Sequence, residues 1–468
     1  MEEDRGGSQR SGLRRFFTAL GNQVDFLGRS FRDGDARTRL SFVLMGFGSL
    51  TRGQVAKGLY YFLSEIAFVA YMLLFGGRSL AGIVTLGTKL QHIEAIPGQV
   101  PKVIRGDNSM LMLLYGVATV LLVVWFIATY FWNISSAAHA QRAAEKGEAL
   151  PGLMAEARQY LDVKFHITLM ALPVTALLLF TVLPLVFMIL IAFTNYDSSH
   201  QPPGSLFHWT GLYSFRALFS SGGVLGDTFW PILGWTLTWA IVATATNYTL
   251  GMLLAILINR RGVRFKGFFR TIFVLSIAIP QFVSLLLMRN MLDDFGPVNG
   301  VLQQPGLVSK FLPFLTDATF ARITVLVVNL WVGIPYSMLI TSGILLSIPK
   351  ELYEAAAIDG ASPFRMWTKI ILPYVVFVTG PYLITQFIGN INNFNVIYLL
   401  TGGGPNSLNY YQAGKTDLLV TWLYKLTVNT RDFSYASAIG ICVFVISAVL
   451  SLIAYRNTKS YKKEETFQ

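Results

Sequence analysis

The chain has 468 residues, 53% of them hydrophobic and 13% charged, a mean hydropathy of +0.52 and a formal net charge of +12. That apolar fraction exceeds what an ordinary soluble core can bury, and the basic residues lie between apolar runs, which argues against a nucleic-acid surface. One cysteine, Cys442, excludes an internal disulfide framework or thiolate metal site.

The first 58 residues hold ten Lys/Arg before any long apolar run and lack the pattern of a signal peptide. The N-terminus is therefore expected to stay in the cytoplasm. Residues 13–31 set Leu13, Phe16, Phe17, Leu20, Val24, Phe26 and Leu27 among arginines, a pattern open to two readings: an amphipathic helix on the inner leaflet or a solvated basic tail. Residues 40–50 are apolar but too short to cross a bilayer, and read as a re-entrant or surface turn. Eight segments are long enough to span: 59–76, 110–131, 168–194, 232–258, 270–289, 323–347, 372–392 and 435–455. They are continuously apolar without strand-like alternation, so the fold class is all-α polytopic membrane protein. With the N-terminus inside, the inward segments carry 26 Lys/Arg against 11 in the outward ones, which places both termini in the cytoplasm. Pro280 and Pro335 each interrupt a span and are candidate bending points.

Spans 2 to 8 carry no interior Asp, Glu, Lys or Arg, and span 1 carries only Glu65. Ion-coupled transport needs ionisable groups that change charge inside the membrane, so the inventory disfavours a secondary transporter. Glu65 reads more readily as a snorkelling group or one that hydrogen-bonds a neighbouring helix than as a functional one. The Gly402-Gly403-Gly404-Pro405 run lacks the following Lys-Ser/Thr of a phosphate loop. His92, His139, His166, His200 and His208 are dispersed without metal-site spacing. Asp293 and Asp294 read as an exposed helix end. No cofactor is expected on this chain, and an enzyme is not expected.

The inward loop 347–373 reads as two short helices. Pro349 suits a first turn, the Glu/Leu/Ala content propagates it, Gly360 can end it in the left-handed region, and Ser362 with Pro363 starts the next. Such a rigid elbow can act as a lever. Glu354, Ala355, Ala356, Gly360, Ile370, Leu372 and Pro373 match the motif EAA, three residues, G, nine residues, I, one residue, L, P. In this the chain resembles the permease subunits of binding-protein-dependent ABC importers. The resemblance implies that these residues couple to an ATPase, Glu354 foremost.

The resemblance extends over residues 165–456 to the larger permease subunit of maltose/maltodextrin-type carbohydrate importers. It is carried by Asn329, Trp331, Val332, Gly333, Pro335 and Tyr336, by Asn390, Asn392, Asn393 and Phe394, by Leu400 to Pro405, and by Ala413 to Val420. Helical spacing alone puts Asn329, Val332, Gly333 and Tyr336 on one face, and Gln386, Asn390 and Asn393 on another. Those faces fit either a sugar-lining cavity or helix-to-helix hydrogen bonding. The resemblance implies the first, with Asn329, Val332, Gly333, Tyr336, Gln386, Gly389, Asn390 and Asn393 as substrate-binding positions. Gln386 and Gly389 depart from the family's residues, so the sugar stays open; the outward gap 195–231 is short, which implies that an extracytoplasmic binding protein docks on less surface.

The organisation expected is a basic cytoplasmic segment 1–58, two extra N-terminal spans in 59–165, a six-helix type I permease core in 166–456 and a cytoplasmic tail 457–468. The resemblance implies a heterodimer with a second permease subunit, two ABC ATPase subunits that hold ATP and Mg, an extracytoplasmic sugar-binding protein, and a bacterial or archaeal cytoplasmic membrane; no nucleic-acid partner is expected. The rivals are an ion-coupled secondary sugar transporter and a membrane-embedded glycan or lipid transferase.

Overall fold

A computed structural model describes residues 21, 23, 25–94, 101–148, 150–260 and 262–457. The chain divides into two compact units, one running to Met188 with His200–His208, the other comprising Ile189–Ser199 and Trp209 onward. The first unit contains α1 (Val55–Thr85), α2 (Ser109–Glu145) and most of α3 (Phe165–Ile191). A short antiparallel hairpin, β1 (His92–Glu94) and β2 (Lys102–Ile104), separates α1 from α2. Phe68 stacks on Phe126 at 3.7 Å between α1 and α2.

The apolar segment at 40–50 is a folded turn, as its length requires. Two short helices, Ala36–Leu40 and Phe47–Leu50, flank it. Glu65 accepts the Met45 N–H at 2.8 Å, while Asn133 accepts from Gly46 N at 2.8 Å and donates to Ser41 O at 2.9 Å. Both polar side chains thus satisfy backbone groups that a non-helical turn would otherwise leave unpaired in an apolar setting. Asp35 caps the first short helix and pairs with Arg52 at 2.6 Å. Burial works to raise the Asp35 carboxyl, but the Thr38 N–H and Arg52 outweigh it and hold the carboxyl below the usual range. Of the stretch 13–31, residues 25–31 are helical; residues 13–20, 22 and 24 lie outside the described residues.

The second unit is organised around α4 (Gly226–Asn259), 34 residues long. Between α4 and α7 (Ala318–Ser347) lie α5 (Lys266–Ala278) and α6 (Gln281–Met291). The span expected at 270–289, with Pro280 as a candidate bending point, is this pair, which meets at 89°. Pro280 has no N–H to donate and forces Ile279 into an extended conformation, φ −77 and ψ 126, so the α5 ladder stops there. Among the described residues, seven helices are long and apolar enough to cross a membrane, and eight if the bent pair counts as one. Pro335, the other bending candidate, is buried in an α7 that runs unbroken.

After α7 come α8 (Lys350–Ile358), α9 (Leu372–Ile391), α10 (Phe394–Leu400), α11 (Leu419–Lys425) and α12 (Phe433–Asn457). α7 lies along α4 at glycine distance: a Cβ at Gly251 would overlap Ser337 and the α7 backbone, and one at Gly333 would overlap the Asn247 carboxamide. This is the close small-residue packing by which membrane helices associate when no hydrophobic drive separates them from lipid. α9 is tied to α4 by Tyr248 OH and Thr379 Oγ1 at 2.7 Å, and by Trp239 Nε1 donating to Asn390 O at 3.1 Å.

Candidate functional site

The segment 347–373, expected to couple to an ATPase, has the local structure its residues dictate. α8 ends where Gly360 adopts φ +69, with Ala361 N donating to Ala356 O at 2.9 Å and Asp359 N to Ala355 O at 3.0 Å. Ser362 Oγ then accepts from Arg365 N at 3.3 Å and opens the next turn. The elbow presents Glu354 and Ala355 to the exterior, with Ile358 86% and Phe364 76% exposed. Ala356 is buried. Its far end is anchored: Trp367, Ile371 and Leu372 pack with Ile344 and Leu345 of α7 against the buried Tyr248, Met252 and Val375. Ile370 is half-buried and Pro373 occupies the first turn of α9. The base of the elbow therefore packs against α7 and α9 together.

The eight residues expected to line a cavity fall into three environments. Asn329, Gly333 and Asn390 are buried. Gly333 sits against Asn247, and the Asn390 amide donates to Thr244 Oγ1 at 2.9 Å. Val332, Gln386 and Asn393 are half-buried, and Asn393 is partly engaged because its Oδ1 accepts from Val396 N at 3.2 Å to cap α10. Tyr336 is 48% exposed and Gly389 faces open space. α7 and α9 meet where Ser337 Oγ and Tyr382 OH lie 3.1 Å apart. Asn247 Oδ1 and Asn329 Nδ2 are buried without hydrogen-bond partners.

Residues 247–463 match the family of binding-protein-dependent transport system inner membrane components. The galactooligosaccharides transport system permease protein GanP of Bacillus subtilis is 36% identical over 425 residues, covering 90% of this chain and 97% of that protein. The chain belongs to this permease family. The maltodextrin transport system permease protein MalC of Streptococcus pneumoniae is 33% identical, over 92% of this chain and 97% of that one. Among solved structures, a bacterial ABC transporter involved in the import of the acidic polysaccharide alginate superposes with a TM-score of 0.53 at 26% identity, covering 65% of this chain and 99% of that chain. A second such structure, with a TM-score of 0.53 at 25% identity over the same shares, is bound to an alginate pentasaccharide-bound periplasmic protein. The permease is thus a membrane-embedded, helical transport subunit.

Three features of the permease escaped sequence reasoning. Asn259 at the end of α4 donates to Ser342 Oγ of α7 at 3.2 Å, accepts from Arg270 of α5 at 2.5 Å, and takes Lys266 Nζ on its carbonyl at 3.0 Å. It clamps three helices near the coupling elbow. At the other end of the unit, Asn395 Nδ2 donates to Gln281 Oε1 at 3.0 Å, joining α10 to the bend at Pro280. Asp417, fully buried, takes Lys425 Nζ at 2.6 Å, Gly414 N at 2.7 Å and Thr421 Oγ1 at 2.8 Å. Burial pushes its carboxyl above the usual range, and Lys425 only partly offsets this. The i, i+4 and i, i+8 spacing of Asp417, Thr421 and Lys425 was the available signal.

Proposed function

We propose that the chain is the larger permease half of an ATP-driven importer for neutral oligosaccharides of the maltodextrin or galacto-oligosaccharide kind. A second permease subunit completes the pathway, two ATPase subunits carrying ATP and Mg lie on the cytoplasmic side, and an extracytoplasmic binding protein delivers the sugar. Both termini face the cytoplasm. The chain itself performs no catalysis.

The observation that carries this reading is the coupling elbow: it exposes Glu354, Ile358 and Phe364 while its base is locked onto α4, α7 and α9. Large exposed apolar side chains beside an acid on a rigid projection suit a groove on a soluble partner. Closure of the ATPases would draw the elbow and, through Leu372 and Leu345, shift α7 and α9 as a pair. The substrate path is assigned to the residues with a free face, Val332, Tyr336, Gln386 and Gly389; Asn329, Gly333, Asn390 and Asn393 set the helix positions behind them. Amides bond sugar hydroxyls and an aromatic ring covers the apolar ring face.

Reversing the charge in Glu354→Lys is expected to lower sugar-stimulated ATPase activity of the reconstituted complex by about tenfold or more, because the acid proposed to contact the groove becomes a cation. Undiminished stimulation with normal assembly would remove the elbow from the coupling route. A secondary transporter would instead keep importing without the ATPase subunits and stop with a protonophore.

A further inference from the structure

At the end of α7 opposite the coupling elbow, the segment between α6 and α7 folds into a rigid frame around a cleft. Asn299 is fully buried and holds the frame: its Nδ2 donates to Asp294 O at 3.1 Å and Leu312 O at 3.0 Å, and its Oδ1 accepts from Leu312 N at 2.9 Å. Gly296 lets the chain turn tightly, since a Cβ there would meet the carbonyls of Asn290, Met291 and Asp293. Thr316 Oγ1 closes the frame onto the Asp294 carboxylate at 3.1 Å. The cleft so formed has a volume of 440 Å³ and is lined by Phe295, Gly296, Gly300, Gln303, Gln304 and Phe311.

Two features of the lining select a ligand class. Phe295 and Phe311 pack edge to face, centroids 5.5 Å apart at 73°, and Phe295 remains 84% exposed, so a ring face stays open. Beside it stand two carboxamides, Gln303 and Gln304, which offer donors and acceptors together. None of the six residues is charged. A lipid-facing patch would not need the two amides, and an anionic or cationic ligand would find no counter-charge among the lining residues. An aromatic face with neighbouring amides and no charge fits a neutral sugar ring, whose C–H face stacks while its hydroxyls pair.

We infer that this cleft is a staging subsite for one ring of a neutral oligosaccharide, holding the overhanging end of a long cargo at the outer mouth. The inference rests on the cargo and orientation proposed above. The cleft is open, so chain length is not capped; Tyr336 stands 18 residues along α7 from its start at Ala318, about 27 Å at 1.5 Å rise per residue, farther than a disaccharide bound at Tyr336 extends.

The test measures uptake by the complete transporter of a disaccharide and of a neutral penta- or hexasaccharide. Phe295→Ala and Gln303→Ala are expected to raise the KM for the long sugar on the order of threefold to tenfold, the range of one aromatic contact, and to leave the disaccharide unchanged; Phe295→Trp keeps the wild-type KM. Copurification with the second permease subunit monitors folding. A loss equal for both lengths, with weaker binding-protein association, would make the cleft a docking contact and overturn the inference, as would no loss at all. Orientation is read separately from Gln304→Cys, the one native cysteine being buried. Labelling by an impermeant maleimide from outside, without a length effect, removes only the subsite; labelling from inside alone removes the orientation and the subsite with it.

Discussion

Asp417 and Lys425 show how a charged pair survives in the interior. Both carboxylate oxygens are engaged, one by an ammonium and a backbone N–H and the other by a hydroxyl; such hydrogen bonding is what lets a buried pair offset its desolvation. Lys425→Met removes the ammonium and leaves the carboxylate buried, with an expected loss of about 3–5 kcal/mol in unfolding of the purified complex. Asp417→Asn combined with Lys425→Met should restore much of it. The sign of the pH effect follows from the raised carboxyl. In Lys425→Met the folded pKa lies above the unfolded value of 3.8, so the deficit grows as pH rises from that value to the folded pKa and shrinks on acidification. A thermal melt series across pH reads both effects. Glu65 teaches a related lesson: its sequence reading as a helix-bonding group holds in kind, but its partner is the backbone of the turn at Met45, which no periodicity reveals.

At the scale of elements, the interface of α4 and α7 depends on absent side chains. Gly333→Val would drive a branched side chain into the Asn247 carboxamide, and the expected cost is about 1–3 kcal/mol of overpacking strain, measured as a lowered melting temperature of the complex. Gly389→Val, facing open space, is the control and should leave the melt unchanged. The coupling elbow was legible because it is local: proline, alanine, glycine and serine each act within a turn or two of where they stand. The break at Pro280 was half legible. A proline marks the position, but the 89° between α5 and α6 depends on what each half packs against, with Gln281 held by Asn395 and Arg270 by Asn259.

At the scale of the whole molecule, the proposed substrate path is where sequence pattern and tertiary role separate most. Asn390 and Tyr336 belong to the same expected cavity, yet one is buried and bonded to Thr244 while the other is 48% exposed. Tyr336→Ala is therefore expected to reduce sugar uptake with an unchanged melting temperature. Asn390→Ala should lower the melting temperature as well, by the equivalent of about 0.6 kcal/mol for one interhelical bond. Equal uptake in wild type and Tyr336→Ala would take α7 out of the path.

The sequence by itself determined the membrane class, the run of apolar helices and the helix-turn-helix at 350–366, because each follows from composition or from residues within one or two helical turns. Only the tertiary structure decided which polar groups are spent on folding. Asn390, Asn133, Asn259 and Asp417 are bound to partners from 8 to 146 residues away, and such pairings depend on which helix lies beside which. The cleft at Phe295 and Phe311 has the same origin: it exists because a buried asparagine folds one connection onto itself, a contact that no helical or strand period encodes.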